Sequence, residues 1–147
     1  MFKSIVVGTD GSHTAAEATR EAIELAKAVG ATLQIVSAYE PVPAQKLNEI
    51  KREAPEDLQW AISPRSEVDA ALETAAAPAR EAGVPVNVYP RQGDPADAIL
   101  DVAEETEADL IIVGNKGMTG AKRFLLGSVP NKVSHHAPCS VLIIRTT

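Results

Sequence analysis

Residues 2–12 read Phe2-Lys3-Ser4-Ile5-Val6-Val7-Gly8-Thr9-Asp10-Gly11-Ser12, and residues 108–114 read Ala108-Asp109-Leu110-Ile111-Ile112-Val113-Gly114. In both stretches an unbroken branched-apolar run ends on a glycine. A strand with one wet face alternates apolar and polar residues, whereas continuous runs of this kind suit strands covered on both faces, as in parallel sheets. The decisive point is what lies between such runs: stretches of helical periodicity, the alternation that builds βαβ units.

Working outward, the segment after Gly8 predicts a helix. Thr14 with Glu17 three positions later has the form of a capping box, Ala15, Ala18, Ala22, Leu25, Ala26 and Val29 recur at helical spacing, and Gly30 supplies a stop. A second strand is expected over Thr32 to Ala38. Residues 40–65 hold Pro41, Pro43, Pro55 and Pro64 and read as a long loop with a short helix near Leu47 to Glu53. Trp60, the single tryptophan, sits there as an anchor for the loop, or as a cover for a bound base. A helix follows over Ser66 to Ala82, closed by Gly83, in which Pro78 should kink or divide the coil because it lacks an N–H. Val84 to Pro90 reads as a strand, and Pro85 and Pro90 place it at an edge. Asp94 is the expected N-cap and Pro95 the first residue of a helix through about Thr106, with Ala98, Ile99, Val102 and Ala103 as its buried stripe. Ala108 to Gly114 is a strand, Ser128 to His136 a helix and Ser140 to Ile144 a fifth strand. Right-handed crossovers then give an α/β fold: one domain over residues 1–147, an open five-stranded parallel sheet of order 3-2-1-4-5 with helices on both faces.

At 147 residues folding buries roughly two-thirds of the unfolded surface, enough without disulfides or a structural metal. A lone Cys139, with no zinc-type Cys/His spacing, reads as a packed thiol in a cytoplasmic chain. The apolar run before Gly8 is too short for a signal peptide or a membrane span. A formal charge of −6 argues against nucleic acid as a partner. The distribution is more informative: residues 1–109 hold all twenty acids against nine bases, while residues 110–147 hold five bases and no acid. A basic final quarter on an acidic domain suggests a small anion site, unless those last elements simply lack surface acids.

In doubly wound sheets ligands bind at the carboxyl ends of the strands where the winding reverses. Two segments meet there, Gly8-Thr9-Asp10-Gly11-Ser12 and Gly114 to Ser128. In the second the spacing is Gly114, two residues, Gly117, nine residues, Gly127-Ser128. Bare glycine backbone admits a ligand closely, and the first-turn amides of Ser128 and Val129 with the Ser128 hydroxyl make an anion cradle at a helix start. Pro130 gives up an amide that would lack a helical partner anyway. Lys116, Lys122 and Arg123 lie between the glycines. The other reading of the segment is a glycine-rich connection that binds nothing. Asp10, at a strand end, can accept two hydroxyl bonds or instead cap a turn or the following helix. His135 and His136 are adjacent on a helix, diverge by about 100° and suit the surface better than a shared metal; His13 reads as an exposed first-turn residue. Neither common nucleotide fingerprint is present.

The opening Ile5-Val6-Val7-Gly8-Thr9-Asp10-Gly11-Ser12, the run Ala108 to Gly114, the three-glycine spacing ending Gly127-Ser128-Val129 and the closing Ala137-Pro138-Cys139-Ser140-Val141-Leu142-Ile143-Ile144 together resemble the ATP-binding branch of the universal stress protein family, over essentially the whole chain. The resemblance implies a Rossmann-like sheet of the adenine nucleotide alpha hydrolase-like kind. It implies that Gly114, Gly117, Gly127 and Ser128 surround a triphosphate, where the charge of Lys116 and the first-turn amide of Val129 also fall, and that Asp10 bonds the ribose hydroxyls. Adenine would be held by backbone near Ala38, with Thr9 and Val113 beside it. It also implies a homodimer through the last strand, Val141 to Ile144, whose apolar edge otherwise exposes unpaired backbone unless the terminus protects it. Pro78 and the proline-bearing loop fall where the family itself varies.

The expected activity is therefore binding. ATP, with or without magnesium, is the implied ligand and cyclic AMP the alternative. No paired carboxylates for a magnesium clamp and no activated Ser/His/Asp arrangement are evident, so an enzyme is the least favoured reading, slow ATP hydrolysis aside. A nucleotide-free dimeric interaction module is the remaining class. The downstream signal would be a stress response carried by nucleotide-dependent conformation or partner binding.

Overall fold

The computed structural model describes residues 1–40, 64–115 and 126–146. Five strands form one sheet, each parallel to its neighbours. β1 (Ser4–Gly8) is central, flanked by β2 (Thr32–Tyr39) and β4 (Leu110–Gly114). β3 (Val86–Gln92) and β5 (Ser140–Ile144) are the edges, giving the expected order β3-β2-β1-β4-β5.

Alternation along the strands decides which helix each residue meets. Ile5 and Val7 of β1, Leu33 and Ile35 of β2 and Leu110 and Ile112 of β4 pack on one face against α1 (His13–Val29) and α2 (Pro64–Glu81). Val6, Val36, Ile111 and Val113 point the other way, onto α3 (Pro95–Glu105) and α4 (Ser128–His136). β1 and β4 are thus dry on both faces, which is why their sequence reads as continuous apolar runs, whereas β2 buries Gln34, whose Oε1 accepts from Asn87 and Tyr89. The chain winds outward from β1 to β3, then returns through α3 to β4, so the reversal falls between Gly8 and Gly114.

Several local expectations are corrected. The N-cap of α1 is Ser12, whose Oγ accepts from the Ala15 amide at 3.2 Å. Thr14 is already inside the helix with its hydroxyl 3.2 Å from Ser12 Oγ, and Glu17 meets His13 at 3.6 Å instead of closing a capping box. The stop is as expected: Gly30 is left-handed at φ 73° and donates to the Ala26 carbonyl. α2 begins at Pro64, earlier than Ser66, and Pro78 does not divide it. Pro78 lies exposed one turn from the end and its carbonyl still accepts from Ala82 at 3.0 Å, so the helix loses a donor but not its course.

β1 starts at Ser4, not Phe2, and β4 at Leu110, not Ala108; β2 reaches one residue further, to Tyr39. β3 lies two residues later than its apolar pattern suggests: the ladder begins at Val86 opposite Leu33, and Pro85, which has no N–H to donate, contributes only its carbonyl, accepting from Leu33 at 2.8 Å. Pro90 is tolerated at this edge. Asp94 caps α3 as expected, its Oδ2 accepting from the Asp97 amide at 3.0 Å, and α4 and β5 have the expected bounds. The short helix near Leu47 to Glu53, Trp60, Lys116, Gly117, Lys122 and Arg123 lie outside the described residues.

Candidate functional site

The carboxyl ends of the three inner strands carry most of the residues singled out by sequence. Gly8, Val113, Gly114 and Val129 share a small cleft of about 30 Å³ with Thr14, Pro130 and Thr146, roofed by the starts of α1 and α4. Asp10 and Ala38 come together in a second cleft of about 260 Å³ at the end of β2, beside Ser37, Tyr39 and Glu67. Thr9 is buried; its amide donates to the Val36 carbonyl at 2.8 Å and its Oγ1 accepts from Gly11 at 3.1 Å. It lines neither of these clefts but a third, between α1 and α2.

Asp10 is exposed, and its Oδ1 accepts from the Ser12 amide at 2.8 Å. The turn-capping role allowed by the sequence is therefore real, and it holds the carboxylate against the strand end. Gly11, at φ 81°, makes this turn possible, and a Cβ built there would lie 3.4 Å from Ala71 of α2.

α4 starts without a side-chain cap: Gly127 occupies the N-cap position in extended backbone and no acidic residue stands in the first turn. The residue expected to lead the helix, Ser128, is its first residue and is exposed. Uncapped first-turn amides and the local dipole favour an anion. The buried Gly127 amide donates to the Asn115 carbonyl at 3.0 Å, so the helix start is bound directly to the end of β4.

Charge is distributed less simply than the sequence suggests. Lys132 reaches Asp97 at 2.8 Å and Asp94 at 3.4 Å, and these carboxylates, Asp97 foremost, hold its ammonium above the usual lysine range. Its charge serves the start of α3. Among the described residues no three His, Cys, Asp or Glu side chains converge to hold a metal ion, and His13, His135 and His136 are exposed. No helix among them is long and apolar enough to cross a membrane.

Sequence reasoning missed two residues here. Asn115 donates its amide to Ile144 at 2.9 Å, and its Oδ1 accepts from both the amide and the hydroxyl of Thr146, at 2.9 and 3.1 Å. A short amide side chain directly after a strand-ending glycine was the available signal, while Thr146 carried none.

The sequence matches the profile of the universal stress protein family over residues 1–145. Universal stress protein Rv1636 of Mycobacterium tuberculosis is 37% identical over 147 residues, covering 99% of this chain and 98% of that protein. A crystal structure of a universal stress protein in complex with cAMP is 33% identical, with a TM-score of 0.74 and 99% of each chain covered. A universal stress protein from Archaeoglobus fulgidus in complex with dAMP is 27% identical, with a TM-score of 0.68, covering 97% of this chain and 98% of that one. On sequence over nearly its full length and on the order and direction of its strands, this chain belongs to the universal stress protein family.

Proposed function

We propose that the protein binds an adenine nucleotide, ATP in the first instance, across the carboxyl edge of its inner strands, and acts as a nucleotide-dependent stress or signalling protein rather than as an enzyme. The observation that carries this reading is the uncapped start of α4 standing beside the bare backbone of Gly114, where the winding of the sheet reverses. Gly114, Gly127 and the amides of Ser128 and Val129 would take the phosphates, joined by Lys116 and Gly117 of the same motif. Asp10 would accept from the ribose hydroxyls, and the backbone at Ala38 would meet the base, with Thr9 and Val113 alongside; the shared cleft of Asp10 and Ala38 supports that pairing.

A magnesium ion, where one is bound, would come with the triphosphate. Cyclic AMP is the second reading, favoured by the solved relative in complex with cAMP. The β5 edge supports a homodimer: Leu142 and Ile143 are 40% and 41% exposed on a strand that, among the described residues, pairs only with β4.

Competition calorimetry with ATP, AMP and cyclic AMP tests the reading. Asp10→Ala should weaken ATP and AMP by about tenfold or more, the cost of a lost charge-assisted hydrogen bond. Unchanged affinity in that variant would remove Asp10 from the site, and no heat with any of the three on the wild-type protein would overturn the function itself.

A further inference from the structure

Past β5, Thr146 lies at the cleft where the winding of the sheet reverses. Thr146 lines it together with Gly8, Gly114 and Val129, and a Cβ built on Gly114 would lie 3.4 Å from Thr146 Cγ2. Asn115 holds Thr146 there with two hydrogen bonds to a single oxygen, Oδ1, at 2.9 and 3.1 Å. Through its own backbone Asn115 also ties Ile144 of β5 and Gly127 at the start of α4. One residue therefore joins the anion-favouring helix start, the tail in the cleft and the apolar edge strand.

From this we infer that Thr146 is a ligand-contacting residue of the cleft, presented by Asn115, and that through this pair a bound phosphate is energetically coupled to β5. The inference rests on the nucleotide reading above. The Thr146 hydroxyl donates to Asn115 Oδ1, and a phosphoryl oxygen entering the cleft is a stronger acceptor for that proton than a neutral amide. Turning the hydroxyl to the phosphate removes one of the two bonds at Oδ1 and leaves the shorter amide bond, so the tail is re-tensioned rather than released. Linkage requires the converse as well: whatever shifts β5 in the direction that the phosphate does must raise ligand affinity by the same factor.

The test is hydrogen exchange at the amides of Val141 to Thr146, with and without saturating ATP, on the full-length wild-type protein, Thr146→Val and Asn115→Ala. Thr146→Val keeps the backbone and shape and removes only the hydroxyl, so it serves where Asn115→Ala disturbs folding. We expect ATP to change exchange in this segment about fivefold or more in the wild type, the lower range of allosteric coupling. Both variants should lose most of that change and bind ATP more weakly. If ATP binds the wild type and exchange at these amides does not move, the coupling is wrong and the nucleotide reading stands. If exchange moves equally in all three proteins, coupling does not run through Asn115 and Thr146, and the assignment fails. If the wild type binds neither ATP nor cyclic AMP by calorimetry, the nucleotide reading fails and this inference falls with it.

Discussion

Gly127 donates its amide to the Asn115 carbonyl at 3.0 Å, tying the N-cap of α4 to the residue that directly follows β4. The carbonyl is thereby turned toward the helix start, while the amides of Ser128 and Val129 remain as the local donors to anything approaching the end of β4.

Ser128→Pro isolates those donors. Proline is favoured at a first helical position, and Gly127 at φ −61°, ψ 163° already has the extended backbone that a residue before proline requires. The variant should keep its melting temperature within a few degrees and bind ATP about tenfold more weakly or worse; Ser128→Ala, which removes the hydroxyl alone, should lose less. Calorimetry of the two variants side by side checks this, and equal affinities would mean that the Ser128 amide takes no part.

Ser12 and Thr14 differ in what they do for α1. Ser12→Ala removes the cap on the Ala15 amide and should cost about 1 kcal/mol, read as a fall of roughly 3–5 °C in melting temperature. Thr14→Ala should change stability by less than half of that. Chemical denaturation resolves the two, and the reverse ranking would restore the cap suggested by the sequence spacing.

Cys139 is partly buried beside Ala137 and Val141, and that burial, with Asp109 nearby, pushes its thiol above the usual range. The folded chain therefore holds this proton more tightly than the unfolded chain. Its stabilising effect is whole below the ordinary thiol pKa and is lost as pH rises through the raised one. Alkylation of the folded protein should be slow at neutral pH, and its rate should go on rising to a higher pH than that of the same thiol in the unfolded chain. A rate already flat by pH 8, followed by mass spectrometry, would contradict the shift.

Leu142→Lys with Ile143→Lys places charge on both faces of the β5 edge, where the native side chains are about 40% exposed. Sedimentation velocity should find wild-type dimers and monomers of the double variant, with far-UV dichroism unchanged. A wild-type monomer at all concentrations would dispose of the proposed pairing.

What the sequence disclosed follows from where its signals are local. Strands buried on both faces announce themselves, so β1 and β4 were found from Ile5-Val6-Val7 and Leu110-Ile111-Ile112-Val113, and the helix starting at Asp94-Pro95 from a cap and a proline in fixed order. The start of α1 was misjudged because Ser12 and Thr14 are both plausible caps, and only the Asp10–Ser12 turn decides between them. β3 was misplaced because its boundary depends on its register against Leu33 of β2, whose amide donates to the Pro85 carbonyl across 52 positions in sequence. At the site, glycines and Ser128 could be read from spacing. Asn115 and Thr146 could not be paired, because they meet only once β4 and β5 lie side by side.

The two borders of the sheet are chemically unlike. Along β3, Pro90 offers no amide, and Arg91 lies over the Tyr89 ring while pairing with Glu105; along β5, apolar side chains flank the rim. If two molecules join rim to rim through β5, each already presents its inhospitable border to the outside, so a third has nowhere to add. In such a pair the growth that ends in fibres would be opposed at its first step by Pro90, on the border opposite the junction.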